Sequence, residues 1–239
     1  RRQRQMCIRD SIQSGDRNWA VISQFVSSSV ARGSLAEEDV TLLLHAAAQD
    51  EWRDRGSFLG VLELCRLALD AKQSLPDGVD YANLVTNYVE RFASKLTCFD
   101  DIRPHLAALR KTPDVPHQPL TSETSITQRI NAEKIALFFE QGASADDLLQ
   151  AYIESLEHVH EPSTEMQPGD DLALLAVYVT LAKSSSVENL IQAAAIASYA
   201  CEKSARAYKL RLLLIRLLLR LGCLKLAVYH LSLIHISEP

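Results

Sequence analysis

Glycine is scarce in this chain, 8 of 239 residues, and none sits in a Gly-x-Gly-x-x-Gly or Walker spacing. Loops that cradle phosphate with bare backbone have little to be made from, so nucleotide-binding chemistry of that kind is excluded. Gly-x-Ser-x-Gly and His-Glu-x-x-His are missing as well, which removes the nucleophile elbow and the zincin helix. Cysteine is sparse and scattered. Cys65, Cys98, Cys201 and Cys223 stand far apart with no Cys-x-x-Cys, so neither a disulfide framework nor a zinc site is expected. They read as small buried hydrophobes in a reducing compartment. Aromatic residues make up only 6%. Charge-free runs such as residues 189–201 are too short to cross a bilayer, which takes about 20 apolar residues. A soluble, cytoplasmic chain with no membrane partner is expected.

What the chain does contain is apolar content at helical spacing, within an ordinary globular composition of 47% hydrophobic and 23% charged residues. Tyr81, Leu84, Val85, Tyr88, Val89 and Phe92 follow i, i+3, i+4, i+7, i+8, i+11, one stripe of a helix. Phe58, Leu62, Cys65 and Leu69 do the same, as do Leu148, Leu149, Tyr152, Ile153 and Leu156. Period-two alternation bounded by turns is hard to find. Ser34 with Glu37, and Ser185 with Glu188, fit the capping box, and Ser144 ahead of Asp146 and Asp147 marks another helix start.

About eleven helices are expected, over 17–31, 35–49, 57–73, 79–95, 98–111, 123–141, 145–159, 170–184, 186–202, 204–221 and 223–230. The fold class is all-α: an α-solenoid of degenerate TPR-like helical hairpins, with a helical bundle as the alternative. No clean self-match at the 34-residue tetratricopeptide period decides between them. Residues 112–125, holding Pro113, Pro116 and Pro119, read as an exposed loop or joint that does not split the domain, and 161–169 is a second interruption.

The two ends read differently. Residues 1–10, Arg-Arg-Gln-Arg-Gln-Met-Cys-Ile-Arg-Asp, resemble the translation of a transposase sequencing adaptor. Residues 231–239, Leu-Ser-Leu-Ile-His-Ile-Ser-Glu-Pro, resemble the reverse complement of the same transposon end running into a second adaptor. Both are expected to be artefacts outside the fold, leaving 11–230 as one helical solenoid fragment. The net charge of −5 includes four arginines and Asp10 in the first segment and Glu238 in the last, so the remainder stands at −7. An acidic chain argues against a dedicated nucleic-acid domain, and DNA is not an expected partner.

Few residues suggest chemistry. His158 and His160, at i and i+2, project from different sides of a helix and read as surface histidines at a helix end. The adjacent pairs Asp100–Asp101, Asp146–Asp147 and Asp170–Asp171 all sit at expected helix starts, where capping accounts for them better than acid–base work. The most distinctive stretch is 209–230. At about 100° per residue, Lys209, Arg216 and Arg220 fall within about 40° of one another, a basic stripe on a helix otherwise almost wholly leucine and isoleucine, with Arg211 on the opposite side. Two readings stay open for the stripe: a solvated face with snorkelling stems, or a surface touching ribosomal RNA or an acidic partner. No catalytic, cofactor-binding or metal-ligating residue is expected.

Several phrases look familiar together. Gln167-Pro-Gly-Asp-Asp-Leu-Ala-Leu-Leu-Ala176 is followed by Tyr208-Lys-Leu-Arg-Leu-Leu-Leu-Ile-Arg-Leu-Leu-Leu-Arg-Leu-Gly222 and by Ala227-Val-Tyr-His230. This series resembles the auxiliary subunit of the N-terminal acetyltransferase B (NatB) complex. There a phrase like PGDDLxLLA precedes a helix like KLLLIRLYxLLGA and a short AxxHY segment. Leu218 stands where that family commonly has an aromatic, and Cys223 where alanine is usual. Lys95-Leu-Thr-Cys-Phe-Asp-Asp-Ile-Arg-Pro104 is similar to the family's KxxCCFxDL turn, with Thr97 in place of one cysteine, and Asp50-Glu-Trp52 ahead of Phe58 to its acidic-Trp helix pair.

The resemblance implies a TPR-like scaffold that wraps a small catalytic acetyltransferase and brings it to the ribosome. There the partner would use acetyl-CoA on nascent chains beginning Met-Asp, Met-Glu, Met-Asn or Met-Gln. The acetyl-CoA loop of such transferases, Gln/Arg-x-x-Gly-x-Gly/Ala, is missing here, so this chain is expected to bind no cofactor and to be inactive alone. An unrelated solenoid adaptor and an all-helical enzyme are the competing readings.

Overall fold

The computed structural model describes residues 2–15, 18–30, 37–49, 51–72, 75, 78–110, 125–157, 167, 169–204 and 206–236. Ser34 of the first capping box, His158, His160, residues 112–124 of the proline-rich segment and most of 161–169 lie outside the described residues. Among the described residues the fold is all-α, with twelve helices and no strand. The chain divides into two compact units, Arg1–Thr121 and Ser122–Pro239.

The first unit holds α1 (Arg2–Gln13), α2 (Trp19–Val30), α3 (Glu37–Gln49), α4 (Arg55–Asp70), α5 (Tyr81–Phe92) and α6 (Cys98–Leu109). Helix α1 occupies the segment read as an adaptor translation; Arg, Gln and Met are good helix formers whatever their origin. Ile12 is buried and Arg9 pairs with Asp39 of α3 at 2.7 Å. Helix α4 is the centre, touching α2, α3, α5 and α6. Its start is set by Asp54, whose carboxylate accepts the Ser57 backbone N–H at 2.6 Å. Phe58, Leu62 and Cys65 are buried as their spacing predicts, but Leu69 at the helix end is 37% exposed. Gly60 lets α2 close in: a Cβ there would collide with the Ile22 side chain.

Edge-to-face aromatic contacts join α4 to α5 and to the preceding turn. Phe58 stands 4.7 Å from Trp52, 5.3 Å from Tyr88 and 6.3 Å from Phe92, centroid to centroid. Trp52 holds a left-handed backbone (φ 61°), and the neighbouring Glu51 carbonyl accepts from Arg91 of α5 at 2.8 Å.

The second unit holds α7 (Ile126–Phe138), α8 (Ala145–Glu157), α9 (Asp170–Lys183), α10 (Val187–Lys203), α11 (Tyr208–Arg220) and α12 (Leu224–Ile236). From α8 onward each helix packs on the next, while α7, α9 and α11 also touch one another in sequence of alternates. Ala173, Ala176, Ala193, Ala197 and Ala200 are all fully buried, so α9 and α10 approach through small side chains. Tyr152, Leu172, Leu210 and Leu214 supply the bulk of the core around that seam. Helix α12 runs into the tail segment, to Ile236.

Candidate interaction surface

Helix α11 carries the basic stripe, and the Pro-Gly-Asp-Asp corner helps to place it. Gly169 is the N-cap of α9; a Cβ there would run into the Ser155 hydroxyl and lie 3.0 Å from Ser155 Cβ and 3.5 Å from the Tyr152 ring. Helices α8 and α9 therefore close over bare backbone. Asp170 is buried, and its Oδ2 accepts from Ser204 Oγ at 2.7 Å and from the Gln167 backbone N–H at 3.1 Å. Ser204 is the C-cap of α10, so this carboxylate ties the start of α9 to the end of α10, just before α11 begins. Burial pushes the Asp170 carboxyl above the usual aspartate range, against the pull of those two donors. Asp171 serves two other helices, pairing with Lys134 of α7 at 2.5 Å and with Lys209 of α11 at 3.8 Å.

Asp170 and Asp171 do sit in the first turn of α9, where the helix dipole favours them, but neither is its N-cap. Gly169 fills the N-cap slot, and the two carboxylates, one and two residues further in, reach across to neighbouring elements. Asp101 in α6 behaves likewise. Arg55 grips it with two bonds of 2.9 and 2.6 Å, and Tyr88 donates to it at 2.8 Å. At α8 the capping account holds: Ser144 Oγ accepts the Asp147 N–H while Asp147 Oδ2 accepts the Ser144 N–H and hydroxyl. Those Ser144 donors hold the Asp147 carboxyl below its ordinary range. The cap of α10 is Ser186, accepting the Asn189 N–H at 3.2 Å, one residue on from the expected Ser185–Glu188 box.

On α11, Leu210, Leu214, Leu217 and Leu218 are buried, and Lys209, Arg216 and Arg220 share the exposed face. Lys209 remains 66% exposed despite its ion pair with Asp171, and Arg216 and Arg220 make no ion pair with any described residue. Arg211 is buried beside Cys201. Burial pushes the Cys201 thiol up to about 11 in spite of that guanidinium. Cys65 and Cys98 are buried too, with thiols pushed to about 12. Cys223 is exposed, against expectation, because it follows Gly222 in the turn out of α11, where a φ of +75° favours glycine.

The spacing did not reveal two further exposed residues of α11, Leu212 and Leu219, or Tyr178 on α9; each is 52% exposed. In a helix as uniformly apolar as α11, periodicity cannot tell which leucines face outward; only the position of the cations hints at it.

Elsewhere, a cavity of about 440 Å³ lies between α4 and α6, bordered by Arg55, Glu63, Asp101, Pro104 and His105. Arg55 and Asp101 satisfy each other, and the buried His105 Nδ1 is hydrogen-bonded with the Tyr81 hydroxyl at 2.8 Å. Burial holds the His105 ring down to about 4. Among the described residues no group of three His, Cys, Asp or Glu side chains is placed to hold a metal ion. None of the described helices is long and apolar enough to cross a membrane.

The profile of the N-acetyltransferase B complex (NatB) non-catalytic subunit family matches residues 19–237. The chain belongs to that family. Membership in the NatB non-catalytic subunits removes both competing readings, an unrelated adaptor and an all-helical enzyme, and implies a catalytic acetyltransferase as partner. The match begins at the first residue of α2 and takes in the Trp52 turn, the Cys98–Asp101 turn, the Pro-Gly-Asp-Asp corner and all of α11. No curated protein matches the chain.

Proposed function

We propose that this NatB subunit is a cytoplasmic scaffold of TPR-like hairpins. It grips the catalytic acetyltransferase and helps dock it at the ribosome, where N-termini beginning Met-Asp, Met-Glu, Met-Asn or Met-Gln are acetylated during translation. The family match over residues 19–237 carries the reading. Helices that pack in chain order from α8 to α12 support it, since stacked hairpins present long surfaces on which buried apolar anchors with a polar rim can hold a second protein. Acetyl-CoA would be bound by the catalytic partner.

The test is copurification of the tagged, full-length protein from cells. A small acetyltransferase should accompany it, the pair should acetylate a Met-Asp peptide, and the pair should sediment with ribosomes in low salt. The tagged chain alone should leave the peptide unmodified. Recovery of no acetyltransferase, or activity from the chain by itself, would defeat the proposal.

A further inference from the structure

The exposed face of α11 combines two kinds of side chain that solvent alone does not require. Lys209, Arg216 and Arg220 run down its middle, and Leu212 and Leu219, seven residues apart, lie along one edge. At 100° per residue the two leucines sit about 60° and 80° to one side of Lys209. Each is 52% exposed, although a helix this rich in leucine has ample core positions. Tyr178, also 52% exposed, lies two turns beyond Asp171 on α9, as Arg216 lies two turns beyond Lys209 on α11; the Asp171–Lys209 ion pair ties the two starting points together.

The cations are concentrated against the trend of the chain, whose net charge is −5. Two of the three lack an ion-pair partner among the described residues, and the third holds one only at 3.8 Å. The helix beneath them is braced by α9, α10 and α12, so the face is presented already ordered.

We propose that this face docks an acidic amphipathic helix of a partner protein. Two apolar side chains of that helix, seven residues apart, lie against Leu212 and Leu219, and carboxylates spaced by one or two turns meet Arg216, Arg220 and Lys209. Charge complementarity selects the occupant. Carboxylates at i, i+7 and i+11 of a parallel helix, or at i, i+4 and i+11 of an antiparallel one, repeat the spacing of the cations at 209, 216 and 220. Half-exposed leucines gain nothing from a phosphate backbone but exclude water beside a helix. The inference is independent of which NatB component supplies the helix.

The probe is a fluorescent, helix-stabilised peptide with two leucines seven apart flanked by four glutamates, titrated by anisotropy against the full chain at low salt. Its lysine-for-glutamate counterpart and a 20-nucleotide RNA hairpin are titrated in parallel. The acidic peptide should bind. Arg216→Glu with Arg220→Glu should weaken it at least tenfold while giving affinity to the lysine peptide. Leu212→Ala with Leu219→Ala, which leaves every charge in place, should weaken the acidic peptide about fivefold or more. Circular dichroism confirms that these surface variants fold. Binding that ignores the leucine substitutions, or tighter binding of the RNA that depends on Arg216 and Arg220, overturns the proposal.

Discussion

Acid should destabilise the first unit through one buried ring. His105 is 3% exposed, bonded to the Tyr81 hydroxyl, and held by burial at a pKa of about 4, against an ordinary value near 6.5. The folded chain therefore refuses a proton that the unfolded chain accepts, so stability is complete above about pH 6.5 and falls as pH drops toward 4. At about 1.4 kcal/mol for each tenfold change in proton activity, the loss amounts to about 3 kcal/mol at pH 4. Both tryptophans, Trp19 and Trp52, belong to this unit, so the urea midpoint followed by their fluorescence reports on it without the second unit. The control is His105→Asn, which lowers stability at every pH but removes the titrating group. The stability difference between wild type and variant should shrink by about 3 kcal/mol from pH 7 to pH 4. Parallel pH profiles, or a His105 ring titrating near 6.5 by NMR, would refute the reasoning.

Phe58→Ala removes the ring shared by Trp52, Tyr88 and Phe92 and should cost about 3–5 kcal/mol in the same fluorescence assay. Gly169→Ala should destabilise α8 and α9 by about 1–3 kcal/mol, with Ser155→Gly in the same chain relieving the clash, as read by hydrogen exchange of those helices. Asp170, whose carboxyl is raised by burial, contributes stability fully below the ordinary aspartate value that is lost as pH rises through the raised one. Protection of α9 and α10 amides should decline over that window, and Asp170→Asn should flatten the decline. Under native conditions Cys223 should react with a maleimide while Cys65, Cys98 and Cys201 wait for unfolding, as peptide mapping by mass spectrometry will reveal.

Helical periodicity made much of this legible. Tyr81, Val85, Tyr88, Val89 and Phe92 are buried with Leu84 half-buried, and Leu148 and Tyr152 are buried with Leu149, Ile153 and Leu156 half-buried beside them, because one-sided burial leaves a 3.6-residue trace in the sequence. The exposed stripe of Lys209, Arg216 and Arg220 was legible too, since three cations within about 40° of one another mark one side of an apolar helix. What escaped was contact between elements. Nothing local says that Asp170 meets Ser204 thirty-four residues on, that Asp101 faces Arg55, or that Arg211 turns inward beside Cys201. Capping and cross-helix bonding draw on the same residue types at the same helix starts, so propensity alone assigned Asp170, Asp171 and Asp101 to the nearer partner. The family resemblance needed neither, because it rests on phrases of sequence, and the family match spans all of them, over residues 19–237.

The alanine seam between α9 and α10 carries a consequence for how this protein can vary. Because the alanines there are fully buried, the spacing of the two helices is set by small side chains, and an added methyl must displace a packed neighbour. Drift at Ala173, Ala176, Ala193, Ala197 and Ala200 should be confined to glycine and serine exchanges. A single valine would wedge the pair open and tilt everything mounted downstream, so the seam acts as a gauge that sets the alignment of the neighbouring helices.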